Sequence, residues 1–228
     1  MPAGKDDVLH RVRFCKAEPG VYWHVFPARY KATASNPNSG ARLAWRDGAH
    51  SMLYTGETAA CALWESALRY AAVDNGYVYT DPDNLKGMMM ARLTLTAPIE
   101  ALDLRAPRRR EIVDPSSDLD KLWEWVLREP DHSKTHDVTA RLMSQIAISG
   151  HSVVPALIWH SRQSGRDTAT LFFDPPSGES LWSCGADDVF PLDGPDGDRH
   201  IATALEPDGL KWRAAPSGAA FNPPIGIK

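Results

Sequence analysis

The chain has 228 residues, of which 43% are hydrophobic and 24% charged, and its formal net charge is -4. This is ordinary globular composition, enough for one good core and short for two domains, and it excludes long disorder. No run approaches about 18 apolar residues and MPAGKDDVLHR has no apolar signal core, so a soluble, cytoplasmic protein with no membrane partner is expected.

The acidic balance gives no general attraction to nucleic acid, so no direct nucleic-acid partner is expected. Cys15, Cys61 and Cys184 are odd in number and lack CxxC spacing, which predicts reduced thiols rather than a disulfide framework or a zinc knuckle. In chain order, VYWHVF reads as the first strand, interrupted by Pro27 and followed by Arg29 and Tyr30. From Lys31 to Gly48 the chain is rich in Ser, Asn, Gly, Ala and Pro, a long loop that carries Arg42 and Trp45.

Ser51 to Thr55 reads as a short strand ending near Tyr54, with Thr55, Gly56 and Thr58 supplying a turn and an N-cap. Ala60, Leu63, Trp64, Ala67, Leu68 and Ala71 then recur at intervals of three and four, which predicts a helix with Glu65 two to three turns in and off the apolar stripe. Met89, Ala91, Leu93 and Leu95 alternate with polar neighbours as a half-buried strand does, and IEALDL follows as another. Ser116 or Ser117 caps a helix with stripe Leu119, Leu122, Trp123, Val126 and Leu127, ended by Pro130; a third helix runs from about Thr135 to Ser149. VVPALIW and TATLFF read as neighbouring strands, and DVFPL as one more. The order predicts a single-domain α+β fold with mixed sheets and about three helices. Residues 1–19 read as an N-terminal extension, 20–195 as the main domain and 196–228 as an irregular C-terminal extension.

Neither GxGxxG nor a P-loop is present, so side chains must hold any nucleotide. His132 and His136 have metal-ligand spacing but no third ligand nearby, and the Arg105, Arg108, Arg109 and Arg110 run is followed at once by Glu111 and Asp114, so no metal is assigned and the basic run reads as a solvated loop. Glu65 alone also fits an exposed residue paired with Arg69 one turn on.

Together, Arg29 with Tyr30, then Arg42, Tyr54 and Glu65, and a Ser161-Arg162 pair directly after VVPALIW resemble the RES-domain family, over about residues 20 to 190. GARLAWRDGAHSMLYTGETAACALWES is similar to that family's arginine loop, strand ending in Tyr and helix bearing Glu, with GARLAW in place of the GRW or GRF form. The resemblance implies a type II toxin, related in fold to mono-ADP-ribosyltransferases and neutralised by an Xre-like antitoxin. It would cleave the nicotinamide glycosidic bond of NAD+ and pass the ADP-ribose to a protein target, to water or to phosphate. A ribonuclease-type toxin and a noncatalytic nucleotide-binding module are the alternatives.

The residue types suit that chemistry. Planar guanidinium groups grip a diphosphate with paired hydrogen bonds, a role for Arg29 and Arg42. Tyr30 and Tyr54 can pack around the nicotinamide and its ribose. Glu65 stabilises the oxocarbenium character that develops at the sugar, and Ser161 orients the ribose or the nicotinamide amide. Glu65, Arg29 and Ser161 are the catalytic candidates, and Arg29, Tyr30, Arg42, Tyr54 and Ser161 the cofactor-binding ones. The leaving group departs as a neutral amide, so this chemistry requires no metal.

Overall fold

A computed structural model describes residues 7–214. In chain order it contains β1 Cys15–Ala17, β2 Gly20–Pro27, β3 Ser51–Gly56, α1 Ala59–Trp64, β4 Ala72–Asp74, β5 Tyr77–Tyr79, β6 Met88–Leu95, β7 Ile99–Asp103, α2 Asp118–Arg128, α3 His136–Ile148, β8 Ala156–His160, β9 Thr168–Asp174, β10 Trp182–Ser183, β11 Val189–Pro191, α4 Gly194–Leu205 and β12 Lys211–Trp212. Nine strands make one curled sheet in the order β1-β7-β8-β9-β3-β2-β6-β10, with β11 also paired to β6; β4, β5 and β12 form a small second sheet. In the large sheet β7 and β8 are parallel and the other pairs antiparallel, so the fold is a mixed α+β one.

The alternation of apolar residues sends each strand to two cores. Ala91, Leu93 and Leu95 of β6 join Leu53, Ile158, Phe172 and Trp182 in a core built between strands. The opposite face of β3, β8 and β9 packs under α2 and α3, where Trp159, Leu171 and Phe173 meet Trp123, Val126, Leu142 and Ile146. The stripe of α1 meets α4 through Leu63, Trp64, Leu68, Ile201 and Leu205, beside Trp23 and Val25 of β2. Among the described residues, no helix is long and apolar enough to cross a membrane.

Three expectations change. α1 stops at Trp64, with Glu65 as its C-cap rather than two to three turns inside a longer helix. The Ser66 hydroxyl bonds Ala62 O, and Leu68 N reaches back to Leu63 O at 2.8 Å, so the backbone leaves the helical ladder while Ala67 and Leu68 stay buried. Residues 7–19 belong to the body. Val8 and Leu9 are buried, their N–H groups donate to Gln145 Oε1 at 2.8 and 2.9 Å, and β1 edges the sheet. Residues 196–214 are not irregular, since they supply most of α4 and all of β12, making four α-helices among the described residues. The GPDG run that reads as a loop is the first turn of α4. Pro195 is tolerated there, and Gly197 lies so close to Leu192 that a Cβ would meet its carbonyl carbon at 2.3 Å. Residues 215–228, the rest of the expected extension, lie outside the described residues.

Candidate active site

The site begins where β3 turns into α1. Gly56 lets the strand end against the helix: a Cβ there would meet Ala62 N at 2.5 Å. Thr58 then caps α1, its Oγ1 accepting from Cys61 N at 3.0 Å. Six helical residues later Glu65 lies over Tyr54, whose Oη donates to Glu65 Oε2 at 2.7 Å. Tyr54 stacks on Trp159 with ring centroids 5.6 Å apart, which fixes the direction of its hydroxyl. Burial first, and then the Glu65 carboxylate, hold the Tyr54 phenol well above its ordinary pKa, so it remains a donor.

The second carboxylate oxygen is met from β8. Ser161 immediately follows that strand and is 1% exposed, and its Oγ donates to Glu65 Oε1 at 2.5 Å. Gln163 N and Ser164 N donate to the same Oγ at 3.2 and 3.1 Å. With both lone pairs engaged, the serine proton has one direction left, toward Glu65. Cys61, one turn before Glu65, is pushed up to about 12 by burial, with Glu65 and Asp167 adding to the shift, so it is an inert thiol.

The Arg42 charge acts on this carboxylate. Arg42 is only 2% exposed, and its Nη1 donates to Val126 O at 2.7 Å and Glu129 O at 2.6 Å, carbonyls at the C-terminal end of α2 where the helix dipole favours a cation. Its Nε is buried without a partner. Burial lowers the Arg42 pKa, while Glu65 and Tyr54 oppose that shift. Arg69 donates to Pro130 O at 3.1 Å and to His132 Nε2 at 2.9 Å. An arginine only donates, so a ring nitrogen of His132 must accept and the ring is neutral; Arg69 Nη1 also lies 3.3 Å from Nδ1, which faces Gly40 O at 3.2 Å. Burial, then the Arg42 and Arg69 charges, lower the His132 pKa to about 4, consistent with that neutral ring.

Of the residues singled out in the sequence, Tyr54, Glu65 and Ser161 converge and Arg42 stands beside them. Arg29 and Tyr30 do not join the hydrogen-bonded cluster. They lie on an exposed turn just past β2, with the Arg29 guanidinium 5.0 Å from the Tyr30 ring centroid, and the following segment is tied to Glu179 through Lys31 and Thr33. Arg46, further along the same loop as Arg42, points back to Ser39 O at 3.0 Å. The Glu65–Arg69 pair read from the helix does not form, because α1 has ended before Arg69 and that side chain turns to His132. His132 and His136 are both spent on protein groups, His136 Nε2 facing Ala41 O at 3.2 Å, and among the described residues no group of three or more His, Cys, Asp or Glu could hold a metal.

Sequence reasoning missed Arg69 and His132 as members of the site. Arg69 was visible only as a helical neighbour of Glu65, and the 63-residue separation between Arg69 and His132 leaves no local signal. In comparisons with known proteins, the family model of the RES domain matches residues 10–193. No curated protein and no solved structure matches the chain.

Proposed function

Since this chain belongs to the RES-domain family, we propose that it is a toxin acting on NAD+, with Glu65 at the centre of the chemistry. The observation that carries this reading is the Glu65 carboxylate held by two hydroxyl donors, Tyr54 and Ser161, beside the buried guanidinium of Arg42. Such a carboxylate has its orientation set before substrate arrives, so little reorganisation is needed as charge develops. When the bond between the ribose and the nicotinamide nitrogen breaks, its electron pair returns to the pyridinium ring and nicotinamide leaves neutral. Positive charge is left on the sugar, where Glu65 stabilises it more than it stabilises the ground state.

Arg29 takes the diphosphate, and Tyr54 and Tyr30 flank the nicotinamide ribose. Arg42, buried and bonded to the carbonyls that end α2, acts on the site through its charge rather than by gripping a phosphate. Arg29 and Tyr30 are exposed and therefore free to meet the outer part of an extended dinucleotide. Water, phosphate or a protein side chain captures the ADP-ribosyl group. An enzyme that consumes a central cofactor needs an inhibitor made alongside it, and an Xre-like antitoxin with a carboxylate-bearing segment directed at the arginines fits that need.

Incubating the purified protein with NAD+ and measuring free nicotinamide tests the reading, and the mass of the ADP-ribose product identifies the acceptor. Nicotinamide release is expected; NAD+ recovered intact would reject the enzyme assignment.

A further inference from the structure

We propose that Asp167 is a positioning residue that sets the contact between Ser161 and Glu65, an inference that rests on the reading of those two residues given above. The segment from Ser161 to Asp167 is bonded to both ends of α1. At the C-terminal end, Ser161 Oγ donates to Glu65 Oε1 at 2.5 Å. At the N-terminal end, Thr58 Oγ1 donates to Asp167 Oδ2 at 3.1 Å while accepting the helix-capping bond from Cys61 N at 3.0 Å. The loop between these attachments is closed on itself. Ser161 N donates to Asp167 O at 2.8 Å, Gly165 N to Ser161 O at 3.0 Å, and Asp167 N to Ser164 Oγ at 3.2 Å.

A closed circuit therefore runs from Glu65 down α1 to Thr58, across to Asp167, through the loop to Ser161 and back to Glu65. α1 is its rigid side, about 9 Å long at roughly 1.5 Å per residue. Asp167 hydrogen-bonds the N-terminal end of α1 with its side chain, and so helps fix where the loop sits along the helix. Its carboxylate spends itself on Thr58 and on an exposed ion pair with Arg166 at 3.8 Å, and it makes no hydrogen bond to Glu65, Tyr54 or Ser161 Oγ.

The circuit can be opened without removing the strand that follows it. Glu57 N donates to Thr168 O at 2.8 Å and Thr168 N to Glu57 Oε2 at 3.1 Å, and β3 pairs with β9 from Gly56 and Ala169 onward. These bonds remain in Asp167→Ala, so that variant is expected to fold.

Asp167→Ala and Asp167→Asn are compared with the unaltered chain in nicotinamide release, with backbone amide exchange of Gln163 and Ser164 read in the same samples. Asp167→Ala is expected to lower kcat by about tenfold or more with KM little changed, because a small displacement of a positioned group is costly to rate. Its Gln163 and Ser164 amides, which bond Ser161 Oγ, are expected to exchange faster. Asp167→Asn keeps an oxygen for the Thr58 hydroxyl and is expected to restore both readouts to within about twofold of the original.

Unchanged kcat and exchange in Asp167→Ala would overturn the proposal. A raised KM at constant kcat would overturn it too, by making Asp167 a substrate contact. Equal losses in both variants would also overturn it, since the charge and not the bond to Thr58 would then matter. If the unaltered chain releases no nicotinamide, the proposed function fails on its own, and the exchange comparison still decides whether Asp167 holds the loop.

Discussion

At the scale of single residues, the charge of Glu65 can be separated from its packing. Gln is nearly isosteric, and with its oxygen accepting from Ser161 and its amide donating to Tyr54 Oη it keeps both contacts while losing the negative charge proposed to meet the sugar. Glu65→Gln is expected to slow nicotinamide release at least about a hundredfold, on the order of 3 kcal/mol in the barrier, with an unfolding midpoint close to that of the unaltered chain. A variant of undiminished rate would remove Glu65 from the chemistry. His132 and His24 permit a second expectation. Burial lowers both pKa values from 6.5 to about 4, and His24 Nδ1 donates to Tyr54 O at 2.7 Å. A histidine depressed in the folded state binds its proton more readily when unfolded. Their stabilising contribution is therefore fully present above pH 6.5 and is lost as pH falls from about 6.5 toward 4. Thermal melts across that window should show the midpoint falling, with a shallower fall in His132→Gln. Tyr54, Glu65 and Ser161 were legible in the chain only together, through the resemblance to the RES family; singly they read as a strand end, an exposed helix position and a turn residue. The bond between Arg69 and His132 was not legible, since it joins a turn to a segment with no periodicity of its own.

At the scale of elements, α1 shows what hydrophobic periodicity reveals and what it hides. The spacing from Ala60 to Leu68 located the buried face correctly, yet it could not show where the backbone leaves the helix, because Ala67 and Leu68 remain buried in turns. That exit is decided by a polar side chain, Ser66, bonding its own backbone at Ala62 O. Placing Glu65 at the C-cap puts a carboxylate at the unfavourable end of a helix dipole, which the nearby arginines and the two hydroxyl donors offset. The junction before α1 is the most sensitive point of the element. In Gly56→Ala the added methyl would meet Ala62 N at 2.5 Å and Ala62 Cα at 3.0 Å, both backbone atoms that cannot swing aside. Overpacking of this kind costs about 1–3 kcal/mol. The variant should melt measurably lower and lose the Tyr54–Glu65 register along with it; an unchanged melting curve would contradict so close an approach. Strands β6, β8 and β9 were readable from alternation or apolar runs bounded by turn residues, whereas β1, β4, β5, β10 and β12 have only two or three residues each, too short for a period of two to register.

At the scale of the whole molecule, the hydrophobic core does not stop where the family match does. Ile201 and Leu205 of α4 are fully buried against Leu63, Trp64 and Leu68, and β12 pairs in parallel with β5. Burying two such side chains contributes about 1.5–3 kcal/mol each, a sum comparable to a large part of the stability of an ordinary domain. A chain ended after Asp193 is therefore expected to lose most of its soluble yield and to lack a cooperative thermal transition. If it melted like the longer chain, α4 would be an appendage. The sequence concealed this because the Gly- and Pro-rich start of α4 carries loop signals, while its apolar stripe is confined to a few residues near its end.

That arrangement also orders events in time. A polypeptide emerges from the ribosome N-terminus first, and the helix that presents Glu65 is made well before the segment that covers it. Until α4 arrives, Leu63, Trp64 and Leu68 lack their partners on that helix, and the carboxylate rides on a helix too short to hold its shape alone. Whatever Glu65 does, the nascent chain does it late: competence waits until the segment that covers α1 has itself left the ribosome and folded back.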